Sequence, residues 1–176
     1  MSEDTPRLRL FAGPNGSGKS ELKSHLPPAL LGIYLNPDEI EAGIRNTGRL
    51  DLRALGVTTK SKEVLPFFTE SAFLRTEGLG EDAGRLRFTD GGLDFTGVEV
   101  NACFASVAVD FLRQRLLQQR VSFTFESVMS HPGKVGLLRK AQRHTASDGL
   151  TIARARFPQT IQSGVVVSLC HLSPGE

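Results

Sequence analysis

The chain has 176 residues, an ordinary globular composition and a formal net charge of +2; this length suits one domain with a substantial core, and so small a charge excludes a nucleic-acid surface built on bulk positive potential. Cys103 and Cys170 lack any CxxC or CxxxC partner, which argues against a disulfide framework or a cysteine metal site and reads as two small buried hydrophobes in a reducing compartment. The opening MSEDTPRLRL has acids and arginines but no apolar targeting run, and no later run reaches membrane-span length, so a cytoplasmic protein without membrane contact is expected.

In chain order, RLRLFAG (7–13) is a short apolar run ending in glycine and reads as a strand. KSELKSHL (19–26) carries helix formers up to a stop at Pro27 and Pro28. LGIYLN (31–36) reads as a second strand, and PDEIEAGIRN as a helix opening at Pro37 with acids in its first turn and Gly48 after it. Strand, glycine-rich loop, helix, strand, helix is how an α/β fold with a parallel sheet begins. In the middle, SKEVLPFFTESAFLRTEG (61–78) has helical spacing interrupted by Pro66, and RLRFTDGGLDFTG (85–97) sets two alternating runs around Asp90, Gly91 and Gly92, a hairpin signal. These segments predict an inserted lobe of helices plus a hairpin over about 51–101.

ACFASVAVDFLRQRLLQQR (102–120) is the strongest amphipathic helix, with Phe104, Val107, Ala108, Phe111, Leu112 and Leu116 as its apolar stripe. VSFTFESVMS (121–130) reads as a buried strand running into a polar turn, and PGKVGLLRKAQRH as a helix from about Pro132. Beyond 144 the pattern weakens to a poor strand around 150–157 and a better one, VVVSLC (165–170), with no helix after it. His25, His131 and His144 have no metal spacing such as HxxxH and read as surface or capping residues.

The loop between the first strand and helix satisfies GxxxxGK followed by Ser or Thr: Gly13, Pro14, Asn15, Gly16, Ser17, Gly18, Lys19 and Ser20. Glycines let successive backbone N–H groups turn onto phosphate oxygens at the positive end of the following helix. Lys19 then reaches the β and γ phosphates as a point charge, and the Ser20 hydroxyl is a ligand for Mg²⁺ bridging them. ATP and Mg²⁺ are the cofactors this loop predicts. A transporter-type ATPase would also need an LSGGQ-like helix start and a strand ending in Asp-Glu, and neither is present.

Phosphoryl transfer needs a carboxylate to accept the proton of the attacking hydroxyl, and reactants in open α/β sheets gather at the carboxyl ends of strands. Asp38, just beyond IYLN, and Glu126, at the end of SFTF, are the strand-end acids. The bland alternatives are helix capping or dipole pairing for Asp38 and turn stabilisation for Glu126; Glu39 and Glu41 read as solvated helix faces.

LFAGPNGSGKS, IYLNPDEIEAG and FTFESVMSHPGKVGLLRKA together resemble the zeta-toxin-like family of P-loop kinases, in its phosphate loop, its aspartate segment and its acceptor segment. The resemblance covers most of 7–143. It implies a three-layer α/β P-loop kinase fold with a parallel sheet, Asp38 as general base, and Glu126 with Ser127 or Ser130 binding the acceptor. It further implies a small hydroxyl-bearing acceptor, such as a nucleotide-activated amino sugar, and an antitoxin protein as partner. The family's basic lid helix has no counterpart in AQRHTASDGLTIARARFPQTIQSGVVVSLCHLSPGE (141–176), where Arg154 and Arg156 read as solvated. The expected organisation is a kinase-like core over 1–144 and an atypical segment over 145–176, read as truncated or frameshifted. The rival expectations are a non-catalytic nucleotide-binding remnant and a simple ATPase without lid arginines.

Overall fold

The computed structural model describes residues 7–12, 23–127, 151–153 and 166–171. The chain is a mixed α/β protein that divides into two units, Met1–Tyr34 with Arg120–Glu176, and Leu35–Gln119. Among the described residues no helix is long and apolar enough to cross a membrane.

The first unit is organised on a five-stranded sheet. Its strands are β1 (Arg7–Ala12), β2 (Ile33–Leu35), which runs to the boundary of the unit, β6 (Phe123–Ser127), β7 (Thr151–Ala153) and β8 (Val166–His171). Their order is β2-β6-β1-β8-β7, with β2, β6 and β1 as a parallel three-strand part. Leu8, Leu10, Phe11, Phe123 and Phe125 are all at most 2% exposed, the burial on both faces that a covered parallel sheet demands. β1 runs parallel to β6 from Leu8↔Phe123 to Ala12↔Ser127, and antiparallel to β8 from Arg7↔His171 to Ala12↔Val166. β7 pairs antiparallel with β8. The expected parallel sheet is thus extended by two antiparallel strands. An antiparallel neighbour needs no crossover helix, and none was legible after VVVSLC. Of the poor strand expected over 150–157, the described residues Thr151–Ala153 form β7.

Residues 23–25 are helical, and α1 (Pro28–Leu31) follows at once. The first helix stops before Pro27, as expected, and Pro28 stands in the first turn of a new one, where its missing N–H would have no partner anyway. The helix expected from Pro132 lies outside the described residues.

The second unit begins with α2 (Pro37–Thr47). Asn36 caps it by accepting the Asp38 N–H at 2.8 Å, and Ile40 and Ile44 form its buried face. Next come β3 (Arg49–Asp51), α3 (Ser61–Thr69), α4 (Ala72–Thr76), α5 (Gly80–Arg85), β4 (Arg87–Thr89), β5 (Gly92–Asp94) and α6 (Ala102–Gln118). The hairpin forms where its sequence places it: Asp90 and Gly91 have φ of 47° and 76°, the positive pair of a tight two-residue turn. It is not alone, because β3 pairs with β5 to give a sheet in the order β3-β5-β4. RLD is too short to be read as a strand, yet an isolated hairpin is marginal in water and gains from a third strand.

Pro66 sits inside α3 without ending it. The break comes later, at Ser71, whose hydroxyl accepts the Leu74 N–H and starts α4. Asn101 caps α6 by accepting the Cys103 and Phe104 N–H groups. All six residues of the expected α6 stripe are buried, and Ala105, Val109, Arg113 and Leu117 with them. The core around this helix is aromatic: Phe95 meets Phe104 edge to face at 6.0 Å, and Phe67 meets Phe111 at 5.2 Å.

Candidate functional site

The first unit's candidate site lies at the carboxyl ends of β1 and β6. Parallel register sets Phe11 beside Glu126 and Ala12 beside Ser127. β1 therefore ends, at Ala12, beside the acid-bearing end of β6, and the glycine-rich stretch follows Ala12 in the sequence. Gly13 to Ser20, including Lys19, lie outside the described residues, as do Ser130, His131, His144, Arg154 and Arg156. Ser127 is described as the last residue of β6, and its side chain is outside the described part.

Glu126 is half-buried, and its Oε1 accepts a hydrogen bond from the hydroxyl of Tyr34 on β2. Lys23 Nζ lies 4.1 Å from the centroid of the Tyr34 ring, and the Phe11 ring is 6.3 Å from it on the sheet side. An ammonium over a phenol ring is held by the ring quadrupole. Neither Tyr34 nor Lys23 was singled out from the sequence. The available signal was a lone tyrosine within an apolar strand, because a phenol hydroxyl buried there must find a partner.

Two hydrogen bonds to the backbone hold the β2 segment in place for this. Ile33 N–H donates to Ser122 O at 3.1 Å, and the Thr124 hydroxyl donates to Leu31 O at 2.6 Å. At Gly32 the chain has φ +60° and passes so close to β6 that a Cβ would meet the Ser122 carbonyl carbon at 2.8 Å. Only glycine fits both the torsion and the approach. Arg7 N–H donates to the Ser122 hydroxyl at 3.0 Å, joining β1 to the same segment.

Asp38 belongs to the second unit. It is exposed in the first turn of α2, and its carboxylate takes no hydrogen bond among the described residues. The capping role weighed for it is performed by Asn36. Glu39 is exposed, whereas Glu41 is not a solvated face: its side chain is 19% exposed and pairs with Arg45 at 2.7 Å.

Elsewhere in the second unit, Ile44, Arg45, Phe95 and Val100 help line a hollow of about 310 Å³. Arg45 donates there to Val100 O at 3.1 Å besides pairing with Glu41, so its charge is already engaged. Cys103 is a free thiol and half-buried, more open than expected. Burial first, then Glu77 and Glu41, push its pKa up, the opposite of what a thiolate nucleophile requires. His25 is exposed, its Nδ1 3.4 Å from the Ser24 hydroxyl. No group of three or more His, Cys, Asp or Glu residues able to hold a metal ion occurs among the described residues.

Comparison of the chain with protein-family models, with curated proteins and with solved structures gives no match.

Proposed function

We propose that the chain is a P-loop phosphotransferase that binds ATP through Gly13 to Ser20 and passes the γ-phosphoryl group to a hydroxyl of a small molecule. A nucleotide-activated amino sugar is the acceptor class that the zeta-toxin-like resemblance favours. The observation that carries the reading is the register Ala12↔Ser127 within the order β2-β6-β1. The strand that feeds the GPNGSGKS loop is flanked by a later strand ending in Glu126, and β2 lies beyond it. Such a reversal of strand order opens a crevice at the carboxyl ends, where α/β proteins bind ligands.

The residues divide the work by their chemistry. Backbone N–H groups of the loop and the Lys19 ammonium neutralise phosphate charge. Glu126 accepts a hydrogen bond from the acceptor and orients it; the base for the attacking hydroxyl is, by the resemblance, Asp38, whose exposed carboxylate takes no hydrogen bond among the described residues. Ser20 supplies one hard oxygen, which suits Mg²⁺ carried in on the nucleotide. When bound, Mg²⁺ would offset charge on the transferring phosphoryl group. An antitoxin-like protein is the macromolecular partner that accompanies this reading.

The remnant reading keeps support from one observation: β8 pairs antiparallel with β1 and β7 with β8, an edge unlike the strand and basic lid helix that the resemblance implies. Purified chain and Lys19→Ala, assayed for MgATP binding and ADP release with a panel of nucleotide-activated amino sugars, separate the readings. Acceptor-dependent ADP release that falls about a hundredfold or more in the variant supports the kinase. Binding without turnover establishes the remnant, and release indifferent to acceptor establishes an ATPase.

A further inference from the structure

The geometry points to Tyr34 as a positioning residue that presents one oxygen of Glu126 to an O–H of the acceptor other than the attacking one, an inference that rests on the kinase reading above. The Tyr34 hydroxyl reaches Glu126 across 92 residues of sequence and donates to Oε1. A carboxylate offers about four acceptor sites on two oxygens. With Oε1 occupied, Oε2 takes no hydrogen bond among the described residues and is the oxygen left to receive an O–H donor.

The phenol is itself held from three sides. Lys23 lies over one face of its ring and Phe11 packs against it at 52°. Its backbone neighbour Ile33 is bonded to Ser122, and Gly32 allows the strand to approach β6 closely enough for that bond. An ammonium above the ring withdraws electron density and makes the hydroxyl a better donor, and a bond from a hydroxyl to a carboxylate is charge-assisted and short. A Glu side chain on three rotatable bonds would otherwise present either oxygen in several rotamers. Tyr34 therefore acts through Glu126 and takes no proton from the acceptor.

Tyr34 is the only tyrosine and there is no tryptophan, so intrinsic emission reports this phenol alone. A phenol bonded to a carboxylate loses excited-state energy by proton transfer to it, and Glu126→Gln should raise the emission of the folded chain. Tyr34→Phe should raise the acceptor KM about tenfold, the size expected for one charged hydrogen bond, and leave the MgATP Kd within about twofold. Emission indifferent to Glu126→Gln overturns the inference. So does acceptor-dependent ADP release with unchanged acceptor KM in Tyr34→Phe, or a MgATP Kd that rises in step with KM, which marks a merely structural role. Those outcomes leave the kinase reading standing. A wild-type chain without acceptor-dependent ADP release overturns the kinase reading itself, and Tyr34's role at an acceptor falls with it.

Discussion

The two units satisfy their polar groups over different distances along the chain. In Leu35–Gln119 three of the five helix starts carry an Asn or Ser cap, Asn36 for α2, Ser71 for α4 and Asn101 for α6, all bonding N–H groups two or three residues on, and the longer bonds from Arg45 to Val100 and from Gln119 to Thr58 span 55 and 61 residues. In the first unit the decisive bonds span the chain, with Arg7 to Ser122 separated by 115 residues, Thr124 to Leu31 by 93, and Tyr34 to Glu126 by 92. Local caps stabilise elements whatever the rest of the chain does. Long-range bonds form only once the sheet has assembled, and one of them, Tyr34 to Glu126, lies at the carboxyl end of β6 where chemistry is proposed.

Substitutions can sharpen or break that contrast, and the largest effect belongs to the aromatic core of the second unit. Phe104 is fully buried against Phe95, and Phe104→Ala should cost about 3–5 kcal/mol in urea unfolding followed by circular dichroism. A loss below 1 kcal/mol would deny that this core organises the unit. Next comes Gly32→Ala in the first unit, where positive φ and the Ser122 carbonyl leave no room; it should cost on the order of 2 kcal/mol or more and change Tyr34 emission as β2 is pushed from β6. Unchanged emission would show that the approach of these strands does not set the phenol.

Asn101→Ala removes an acceptor of two N–H groups from α6 and should cost about 1 kcal/mol. Because the cap is local, folded-state Tyr34 emission should stay as in the wild type; a shift would break the contrast between the units.

The smallest effect is electrostatic. The Thr59 hydroxyl, then the Lys60 N–H, then the Arg115 charge hold the Glu63 carboxyl below its ordinary value of 4.5. A depressed folded pKa contributes stability that is present above the ordinary value and is lost as pH falls through the folded one. Glu63→Gln should therefore be less stable than wild type at neutral pH, with the gap narrowing in acid, as read from urea midpoints across a pH series. A gap that widens in acid would reverse the assigned sign.

Much of this protein was legible one residue at a time. The 3.6-residue stripe of α6 marked its buried face, because a helix against a core must repeat its apolar side at that spacing. The Asp90–Gly91 pair announced the hairpin, because its turn needs positive φ twice. Three-residue β3 was not legible, and neither was the helix restart at Pro28, since both depend on neighbours that short-range pattern does not record.

By itself, then, the sequence determined the mixed α/β character, most of the described helices and strands, and the two strand-end acids as candidates. The tertiary structure alone decided that β6 lies between β2 and β1, that the tail adds antiparallel strands, and that Tyr34 meets Glu126. Periodicity and turn chemistry act over a few residues and can be read in place. Strand order and a hydrogen bond across 92 residues exist only after the chain has paid the entropy of closing those loops.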